Sequence, residues 1–172
     1  MYFELFPTVD YVNFGQTNSK TVTNITKRPA VRQSIKDNLT VFTKHIIRSG
    51  ETPESIAFDL YGDAELHWII LLTNDIYDRY HQWPMNVNQF QAYVNEKYSD
   101  PFATHHFEIS QTSGDTTIKI DIGQDDTDHS GATAVTNYQY EQDRQDILRQ
   151  IKLVDPTNAN QFISDFSKLM EE

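Results

Sequence analysis

The 172-residue chain contains no cysteine, which excludes a disulfide framework and any metal site built from thiolates. No run of apolar residues approaches the roughly 18 that a membrane-spanning helix requires. The amino terminus lacks the basic and then apolar pattern of a secretory signal peptide. These absences predict a protein that is made in a reducing cytoplasm and does not enter a membrane.

Positive charge is also scarce, with 14 lysine and arginine residues against 25 acidic residues and a formal net charge of -11. Contacts with phosphates need cations, so this balance argues against a general binder of nucleic acids or anionic membranes. The charge is uneven, because residues 20–48 hold seven basic residues and one acid, whereas residues 100–146 hold ten acids and two basic residues. Such asymmetry is typical of a protein whose opposite surfaces meet different partners, but two ordinary solvated faces would give the same counts.

Apolar residues make up 38% of the chain and charged residues 23%, which fits a globular protein slightly poor in apolar side chains. At this length the chain can form one good hydrophobic core and has little room for a second. Segments with strand-like alternation stand between segments with helical spacing, which predicts an α+β fold.

The most informative stretch runs from residue 41 to residue 74. Apolar side chains within residues 41–47 predict a short strand. Gly50 marks the turn after it, and Thr52 stands where a helix N-cap belongs, with Pro53 at the first helical position. The helix is expected to end at Gly62, which tolerates positive φ, before a second helix begins. The apolar or inward positions of the two helices are Ile56, Ala57, Leu60, Leu66, Ile69, Ile70 and Thr73.

At these residues the chain resembles the lysin motif (LysM) domain. The positions that match the pattern of that domain are Gly50, Thr52, Ile56, Ala57, Tyr61, Gly62, Asp63, Trp68 and Asn74. The chain departs from it at His45, Glu51 and Pro53, and Pro53 removes an apolar side chain near the groove in which such domains bind glycans. Trp68 is expected to pack in the core, and the alternative is a stacking platform for a sugar or a partner's side chain.

A wider resemblance covers nearly the whole chain. The aromatic segment 2–6, the Gly-Asp-x-x-Leu-x-Trp segment 62–68, the segment 74–78 and the late segment 149–152 occur in this order. In order and total length they are similar to the small LysM-containing baseplate wedge protein of contractile-tailed bacteriophages. The resemblance implies a structural subunit that is assembled in the host cytoplasm and resides in the tail baseplate of the virion.

The same resemblance implies the partners. They are other baseplate wedge proteins and neighbouring wedges, which the protein would link around the hub, with sheath and hub-proximal tail proteins as further candidates. Peptidoglycan is the partner of the alternative function, a LysM module associated with cell-wall penetration. LysM domains with that role keep two glycan loops short and open, here Ser49–Pro53 and Asn74–Asp78.

The predicted architecture is a LysM-like βααβ core with a long insertion before its second strand. The core comprises residues 39–77 and 147–156, and the insertion comprises residues 78–146. An extended amino-terminal arm with a short helix occupies residues 1–38, and a carboxy-terminal helix occupies residues 157–172. A long insertion is thermodynamically mild, because the entropy cost of closing a loop grows only logarithmically with its length.

Periodicity predicts the smaller elements. A short helix is expected within residues 29–39, and another begins at Asn86 with an amide capping box. Residues 105–122 predict a β-hairpin, residues 123–136 a polar loop, and residues 138–150 an exposed helix.

Contact with partner chains is predicted for aromatic residues and for two arginines of the basic segment. Aromatic side chains often carry the binding energy of an interface, and the alternative is that the amino-terminal aromatic residues form an edge strand of the chain's own fold. The candidate interface residues are Tyr2, Phe3, Leu5, Phe6, Arg28, Arg32, Tyr77, Trp83, Phe162 and Phe166.

Two groups of possible metal ligands have plainer interpretations. Asp126 and Asp128 begin like a calcium loop, but Asn137 stands where a bidentate glutamate is needed, so an acidic loop is favoured for residues 126–137. Adjacent histidines at 105 and 106 suggest zinc, yet neighbouring residues of a strand point to opposite faces, and His129 is not spaced to join them. We therefore predict no metal site.

Catalysis is also not predicted. Glu51, Glu54 and Asp59 lie near the groove of the LysM-like unit and could suggest hydrolysis by paired carboxylates. The helix dipole explains acids at the start of a helix without any reaction. The sequence contains no glycine-rich phosphate loop, nucleophile elbow or His-Glu-x-x-His motif, so we expect neither catalytic residues nor a cofactor.

Overall fold

The computed structural model describes residues 2–12, 14–15, 17–27, 29–31, 41–112, 114–115, 117–124 and 129–171. It divides the chain into two compact units of mixed helix and sheet. Unit 1 comprises Met1–Trp83 with Gln150–Glu172, and unit 2 comprises Pro84–Arg149. The expectation of one core therefore differs from the structure, since each unit has buried side chains of its own.

The elements alternate between strands and short helices. The strands are β1 (Thr8–Val12), β2 (Ser19–Thr23), β3 (Phe42–Ile46), β4 (Thr104–Ser110), β5 (Lys119–Gly123), β6 (Thr133–Thr136) and β7 (Gln150–Val154). The helices are α1 (Pro53–Tyr61), α2 (His67–Thr73), α3 (Arg79–Gln82), α4 (Val87–Lys97), α5 (Asn137–Leu148) and α6 (Pro156–Glu171). Two short 3₁₀ helices span Tyr2–Leu5 and Ala64–Leu66.

In unit 1 the strand that precedes α1 pairs with the strand that follows unit 2 in the sequence. β3 and β7 are antiparallel, with the register running from Phe42↔Val154 to Ile46↔Gln150. This is the pairing that the insertion hypothesis requires, because all of unit 2 lies between α3 and β7 in the sequence. The assignment of the unit to the LysM domain, and the boundaries at residues 78 and 146, stay predictions. The contact division falls after Trp83 and after Arg149.

Two clusters of apolar side chains form the core of unit 1. One lies under β3, α1 and β7 and consists of Ile47, Ile56, Ala57, Ile70, Ile151 and Leu153. The other consists of Phe6, Phe42, Trp68, Ile69, Val154, Phe166 and Met170. Tyr61 packs against both clusters, and its hydroxyl donates to the Val154 carbonyl at 3.0 Å. Burial raises the pKa of Tyr61 to about 12, so this donor keeps its proton at any physiological pH.

The predicted cap of α1 is confirmed. The Ser55 backbone N–H donates to Thr52 Oγ1 at 3.2 Å, and the Thr52 N–H donates to Ser55 Oγ at 2.9 Å. Gly62 ends the helix with φ of 76°, a conformation that costs glycine little and other residues more. Asp63 then caps the 3₁₀ helix that leads into α2, by accepting from the Glu65 N–H at 2.8 Å.

Asn74 connects α2 to β7. Its side-chain Nδ2 donates to the Lys152 carbonyl and to the Ile70 carbonyl, each at 2.8 Å. Its Oδ1 accepts from the Lys152 N–H, also at 2.8 Å. The amide thus satisfies both backbone groups of one residue of β7, as a neighbouring strand would.

The two ends of the described chain pack on α2, which differs from the predicted extended arm. Residues Tyr2–Leu5 form a 3₁₀ turn, and Phe6 is buried beside Phe166 of α6. The Lys27 ammonium donates to the Met170 carbonyl at 2.8 Å. The arm prediction relied on polar composition, and burial of a few aromatic side chains is enough to order this segment. Between Pro7 and Asn24, β1 and β2 form an antiparallel hairpin that composition did not reveal.

Unit 2 is a three-stranded antiparallel sheet, ordered β5-β4-β6, with two helices. The predicted hairpin of residues 105–122 is confirmed as β4 and β5, and the Asn86 capping box of α4 is present. The predicted polar loop 123–136 is wrong at its end, where β6 pairs with β4. A strand of four residues is too short to give a periodic signal. The predicted helix within residues 29–39 lies largely outside the described residues.

A buried carboxylate connects the helices of unit 2. Glu141 of α5 is 2% exposed, and its Oε1 accepts from the Lys97 ammonium at 2.5 Å and from the Tyr98 hydroxyl at 2.8 Å. Arg144 Nη1 lies 3.7 Å from Glu141 Oε2. Burial pushes the pKa of Glu141 upward, but the hydrogen bonds from Lys97 and Tyr98 outweigh burial, so the pKa is lowered.

Replacing Asn74 by alanine should lower the free energy of unfolding of unit 1 by about 1–3 kcal/mol, because two backbone groups of Lys152 lose their partner. Both tryptophans of the chain belong to unit 1, so tryptophan fluorescence in urea measures this unit. Asn160→Ala on the exposed surface of α6 is the matched control and should leave the midpoint unchanged or slightly raised. Equal midpoints for the two variants would contradict the role given to Asn74.

Replacing Glu141 by glutamine should destabilise unit 2 by about 1–3 kcal/mol, because a charge-assisted hydrogen bond is lost in a buried place. Hydrogen exchange of α4 and α5 in the full chain measures the change. The lowered pKa means that the carboxylate stabilises the unit at neutral pH and that this contribution disappears as the pH falls through the folded-state pKa. The glutamine variant should lose this part of the acid sensitivity, whereas Glu96→Gln on the exposed face of α4 should keep it.

Candidate interaction surface and motif loop

The turn between β3 and α1 is held by the side chain of Glu51. Gly50 adopts φ of 87°, and the Glu51 carboxylate accepts from the Arg48 N–H at 2.8 Å and lies 3.1 Å from His45 Nε2. Burial pushes the pKa of Glu51 upward, but the Arg48 N–H and His45 outweigh burial and hold the pKa below its usual range. The carboxylate therefore stays ionised, and its contacts with the Arg48 N–H and His45 stabilise the turn.

Residues that follow α2 cover this turn. The Trp83 indole N–H donates to the Glu51 carbonyl at 2.9 Å, and the ring packs against the core cluster under α1. Arg79 forms an ion pair with Glu54 at 2.5 Å. Burial raises the pKa of Glu54, and the backbone N–H and the Arg79 charge lower it further than burial raises it. The loop Ser49–Pro53 is thus covered on one side by the segment 79–83.

The residues that match the LysM pattern pack or form hydrogen bonds within unit 1. Trp68 is 5% exposed and packs in the core cluster, the position expected of it. The Asn74 amide makes two hydrogen bonds to Lys152 of β7 and one to the Ile70 carbonyl of α2, so it is already occupied. Ile56 and Ala57 are buried in α1. Asp59 is exposed on the same helix.

An aromatic cluster surrounds Trp68. The indole lies 4.7 Å from the Phe166 ring, 5.2 Å from the Tyr2 ring and 6.2 Å from the Phe162 ring, measured between ring centroids. Tyr2 also contacts the Phe6 ring edge to face at 4.8 Å. Such pairs add to the energy of burial, so the amino-terminal turn and α6 hold each other against α2.

One side of this cluster opens into a groove of about 720 Å³, which we call the aromatic groove. Its floor is apolar, and three of its hydrophobic residues are strongly exposed: Phe3 (58%), Ile25 (67%) and Tyr77 (69%). The charged or titratable groups in its wall are Lys27, Glu65 and His67. The remaining lining residues are Tyr2, Phe6, Pro29, Trp68, Leu71, Leu72 and Ile76.

The predicted interface residues divide into three groups. Phe6 and Phe166 are buried inside unit 1, and Tyr2, Leu5 and Phe162 are half-buried there. Phe3 and Tyr77 are exposed on the aromatic groove, and Trp83 covers the turn between β3 and α1. Arg28 and Arg32 lie outside the described residues. Ile25, which also lines the aromatic groove, was not predicted as an interface residue, because a lone apolar residue in a polar stretch carries no periodic signal.

The histidine pair is arranged differently from the prediction. His105 and His106 do not point to opposite faces, since their Nδ1 atoms lie 2.9 Å apart. The reason is a bulge between Thr104 and His106 in the pairing of β4 with β6, which leaves His105 as an extra residue. His106 is buried with its Nε2 3.1 Å from Glu108, and His105 stacks on Tyr140.

The remaining searches concern only the part of the chain that the structure describes. Within it, no group of three or more metal-ligating side chains is close enough to hold an ion. Asp126 and Asp128 of the calcium-like segment lie outside that part. Among the described helices, none has the length and apolar character to cross a bilayer.

Comparisons with known proteins identify the family of this chain. The profile of the family described as base plate wedge protein 53 matches residues 1–106, well over half of the chain. A relative, the baseplate wedge protein gp53 of Enterobacteria phage T4, is 26% identical over 145 residues, which cover 74% of this chain and 73% of that protein. The matched region includes β1 to β3, the motif helices and α4. The chain therefore belongs to the base plate wedge protein 53 family, whose members are structural proteins of the phage tail baseplate.

Proposed function

We propose that the protein is a non-catalytic subunit of a contractile-tail baseplate wedge, which binds other wedge proteins and links adjacent wedges around the hub. The observation that carries the proposal is the aromatic groove. It exposes large apolar side chains beside a rigid aromatic cluster, and such surfaces typically mark protein contacts. Family membership supplies the class of partner.

The groove suits a permanent contact. Phe3 and Tyr77 are exposed aromatic side chains, and Tyr2 behind Phe3 is fixed by packing on Trp68. Preorganised surfaces bind with little loss of conformational entropy. Sheath and hub-proximal tail proteins are further candidate partners of the same surface.

We also propose that β3, α1, α2 and β7 form a LysM-like core that serves as a scaffold. A peptidoglycan-binding role is disfavoured by the contacts of its two loops. Trp83 and Arg79 cover Ser49–Pro53, and the Asn74 amide of the second loop is engaged by β7. A sugar would have to displace these contacts before it could enter the groove between the loops.

Replacing Phe3 and Tyr77 together by alanine should weaken binding to the other wedge proteins by about 30-fold or more, because a hot-spot residue contributes about 2 kcal/mol or more. The measurement is a titration of the labelled variant against wedge proteins purified from the same phage. Phe58→Ala is the matched control, since Phe58 is 60% exposed on α1 and does not line the groove.

Both variants should remain folded under the binding conditions, as their urea unfolding curves can show, which separates lost binding from lost folding. Equal affinities for the groove variant and the control would overturn the assignment of the groove.

The intact protein should remain in the supernatant when purified peptidoglycan is sedimented. The reason is that the loops Ser49–Pro53 and Asn74–Asp78 are already engaged by contacts within unit 1. Trp83→Ala opens the turn at Glu51, and it should also remain in the supernatant if the unit is only a scaffold. Sedimentation of the intact protein with peptidoglycan, reversed by added oligosaccharide, would favour the glycan-binding alternative. A LysM protein known to bind the wall is the positive control.

A further inference from the structure

Unit 2 contains a pair of histidines whose rings contact each other. His105 Nδ1 lies 2.9 Å from His106 Nδ1, and His106 Nε2 lies 3.1 Å from Glu108 Oε1. His106 is buried, and the His105 ring is stacked on the Tyr140 ring of α5 with 3.9 Å between the centroids. Tyr140 also meets His106 edge to face at 6.0 Å. The two rings therefore form a continuous row from a carboxylate of β4 to a side chain of α5.

The contacts determine which ring nitrogens carry hydrogen. A ring nitrogen donates only when it carries a hydrogen and accepts only when it is bare. An ionised carboxylate such as that of Glu108 only accepts, so His106 Nε2 carries a hydrogen. When both rings are neutral, His106 Nδ1 is then bare, and His105 Nδ1 has to be the donor between the rings. The geometry thus assigns the Nε2–H form to His106 and the Nδ1–H form to His105.

This arrangement tolerates one added proton and does not tolerate two. After one proton is added, one Nδ1–H still faces one bare Nδ1, whichever ring holds the charge. After a second proton is added, both Nδ1 atoms carry hydrogen, and the two N–H groups point at each other across 2.9 Å. The hydrogen bond is then lost, and two positive rings stand with their centroids 5.1 Å apart. Full protonation of both rings therefore requires them to separate.

The charged groups around the pair do not remove this conflict. The charged or titratable groups that contact the pair or its partners are Glu108 on β4, Asp121 opposite it on β5, Tyr140, Glu141 and Arg144 on α5, and Lys97 on α4, which pairs with Glu141. β6 contributes none, since its sequence is Thr-Ala-Val-Thr. Glu108 attracts an added proton, and Arg144, 5.8 Å from the Tyr140 ring, opposes it. These charges change how readily protons bind, whereas the clash of two Nδ1–H groups follows from the contact itself.

The bulge of β4 makes His105 the ring that can move. His105 is the extra residue between Thr104 and His106, so the register with β6 does not hold its side chain. It is half-buried, whereas His106 is buried and contacts Glu108. Separation of the two rings therefore displaces His105 from Tyr140.

We propose that the contact between His105 and His106 is a pH-sensitive switch, which keeps the pairing of β4 with β6 closed at neutral pH and opens it in mild acid. Binding of the second proton releases His105 from both His106 and Tyr140, so the bulge and its pairing with β6 loosen. Histidine is the side chain whose charge ordinarily changes in this pH range. The proposal concerns unit 2 alone and does not depend on the aromatic groove.

Ring nitrogen-15 spectra of the unchanged protein test the assignment of hydrogens. At about pH 9, above the range in which histidine ordinarily titrates, His106 should be in the Nε2–H form and His105 in the Nδ1–H form. Magnetisation transfer should then show the contact between the His105 and Tyr140 rings, and at about pH 5 this contact should be lost. Two Nε2–H rings at the higher pH would overturn the proposal, and so would a ring contact that persists at the lower pH.

Hydrogen exchange of the β4 and β6 amides in the full chain measures the opening itself. Between about pH 7.5 and about pH 5, the opening equilibrium, corrected for the intrinsic exchange rate, should increase by up to about tenfold per pH unit, because the open state binds one more proton. Protonation of Glu141 does not interfere, since the pKa of that buried carboxyl is lowered and its titration lies below this range.

His105→Phe is the matched variant, because phenylalanine keeps an aromatic ring against Tyr140 and takes up no proton. Its opening should lose this dependence on pH. The control, His129→Phe at an exposed residue of unit 2, should keep it. Equal pH dependence in the two variants would overturn the proposal, and so would opening of the unchanged protein that does not vary with pH. If His105→Phe does not fold, the spectra and the exchange of the unchanged protein still decide.

Discussion

Unit 1 depends on the pairing of β3 with β7, two strands separated in sequence by the whole of unit 2. The pair buries Phe42, Ile151, Leu153 and Val154, and α1 and α2 pack on it. The side-chain amide of Asn74 forms hydrogen bonds with the N–H and the carbonyl of Lys152, as the backbone of a further strand would. Hydrophobic burial supplies most of the stability here, and the hydrogen bonds fix which residues meet.

The aromatic surface follows from that arrangement. Trp68 stands on α2, and the amino-terminal turn and α6 can reach it because α6 begins directly after β7. Trp68 and the amino-terminal residues Tyr2, Phe3 and Phe6 also line the aromatic groove. The same fold that closes the core thus creates an exposed apolar groove, in a chain of the baseplate wedge family.

Local signals made much of the fold predictable. Thr52 and Asn86 each begin a helix with a capping box, because cap chemistry depends on residues three apart. The hairpin β4–β5 was visible from the alternating apolar residues on either side of a turn. β7 lies within residues 147–156, which the resemblance assigned to the second strand of the core. These features involve neighbours in sequence, and for that reason they can be identified without coordinates.

The features that sequence did not predict depend on distant partners. Burial of Glu141 follows from Lys97 and Tyr98 at the end of α4, and no pattern around Glu141 predicts these partners. The bulge at His105 arises from the register with β6, which is itself too short to recognise. Of the candidate interface residues, Phe6 and Phe166 are buried within the chain because they find each other and Trp68 across its whole length.

The order of segments along the chain has a consequence for biosynthesis. A ribosome makes β3, α1, α2 and all of unit 2 before it reaches Gln150, so β3 has no strand partner until translation has passed unit 2. A polypeptide that stops earlier lacks β7 and α6, and Trp68 then has no Phe166 to pack against. Truncated products are thus recognisable to proteases by their exposed core, and only chains translated past α6 can complete the surface that a growing tail would incorporate.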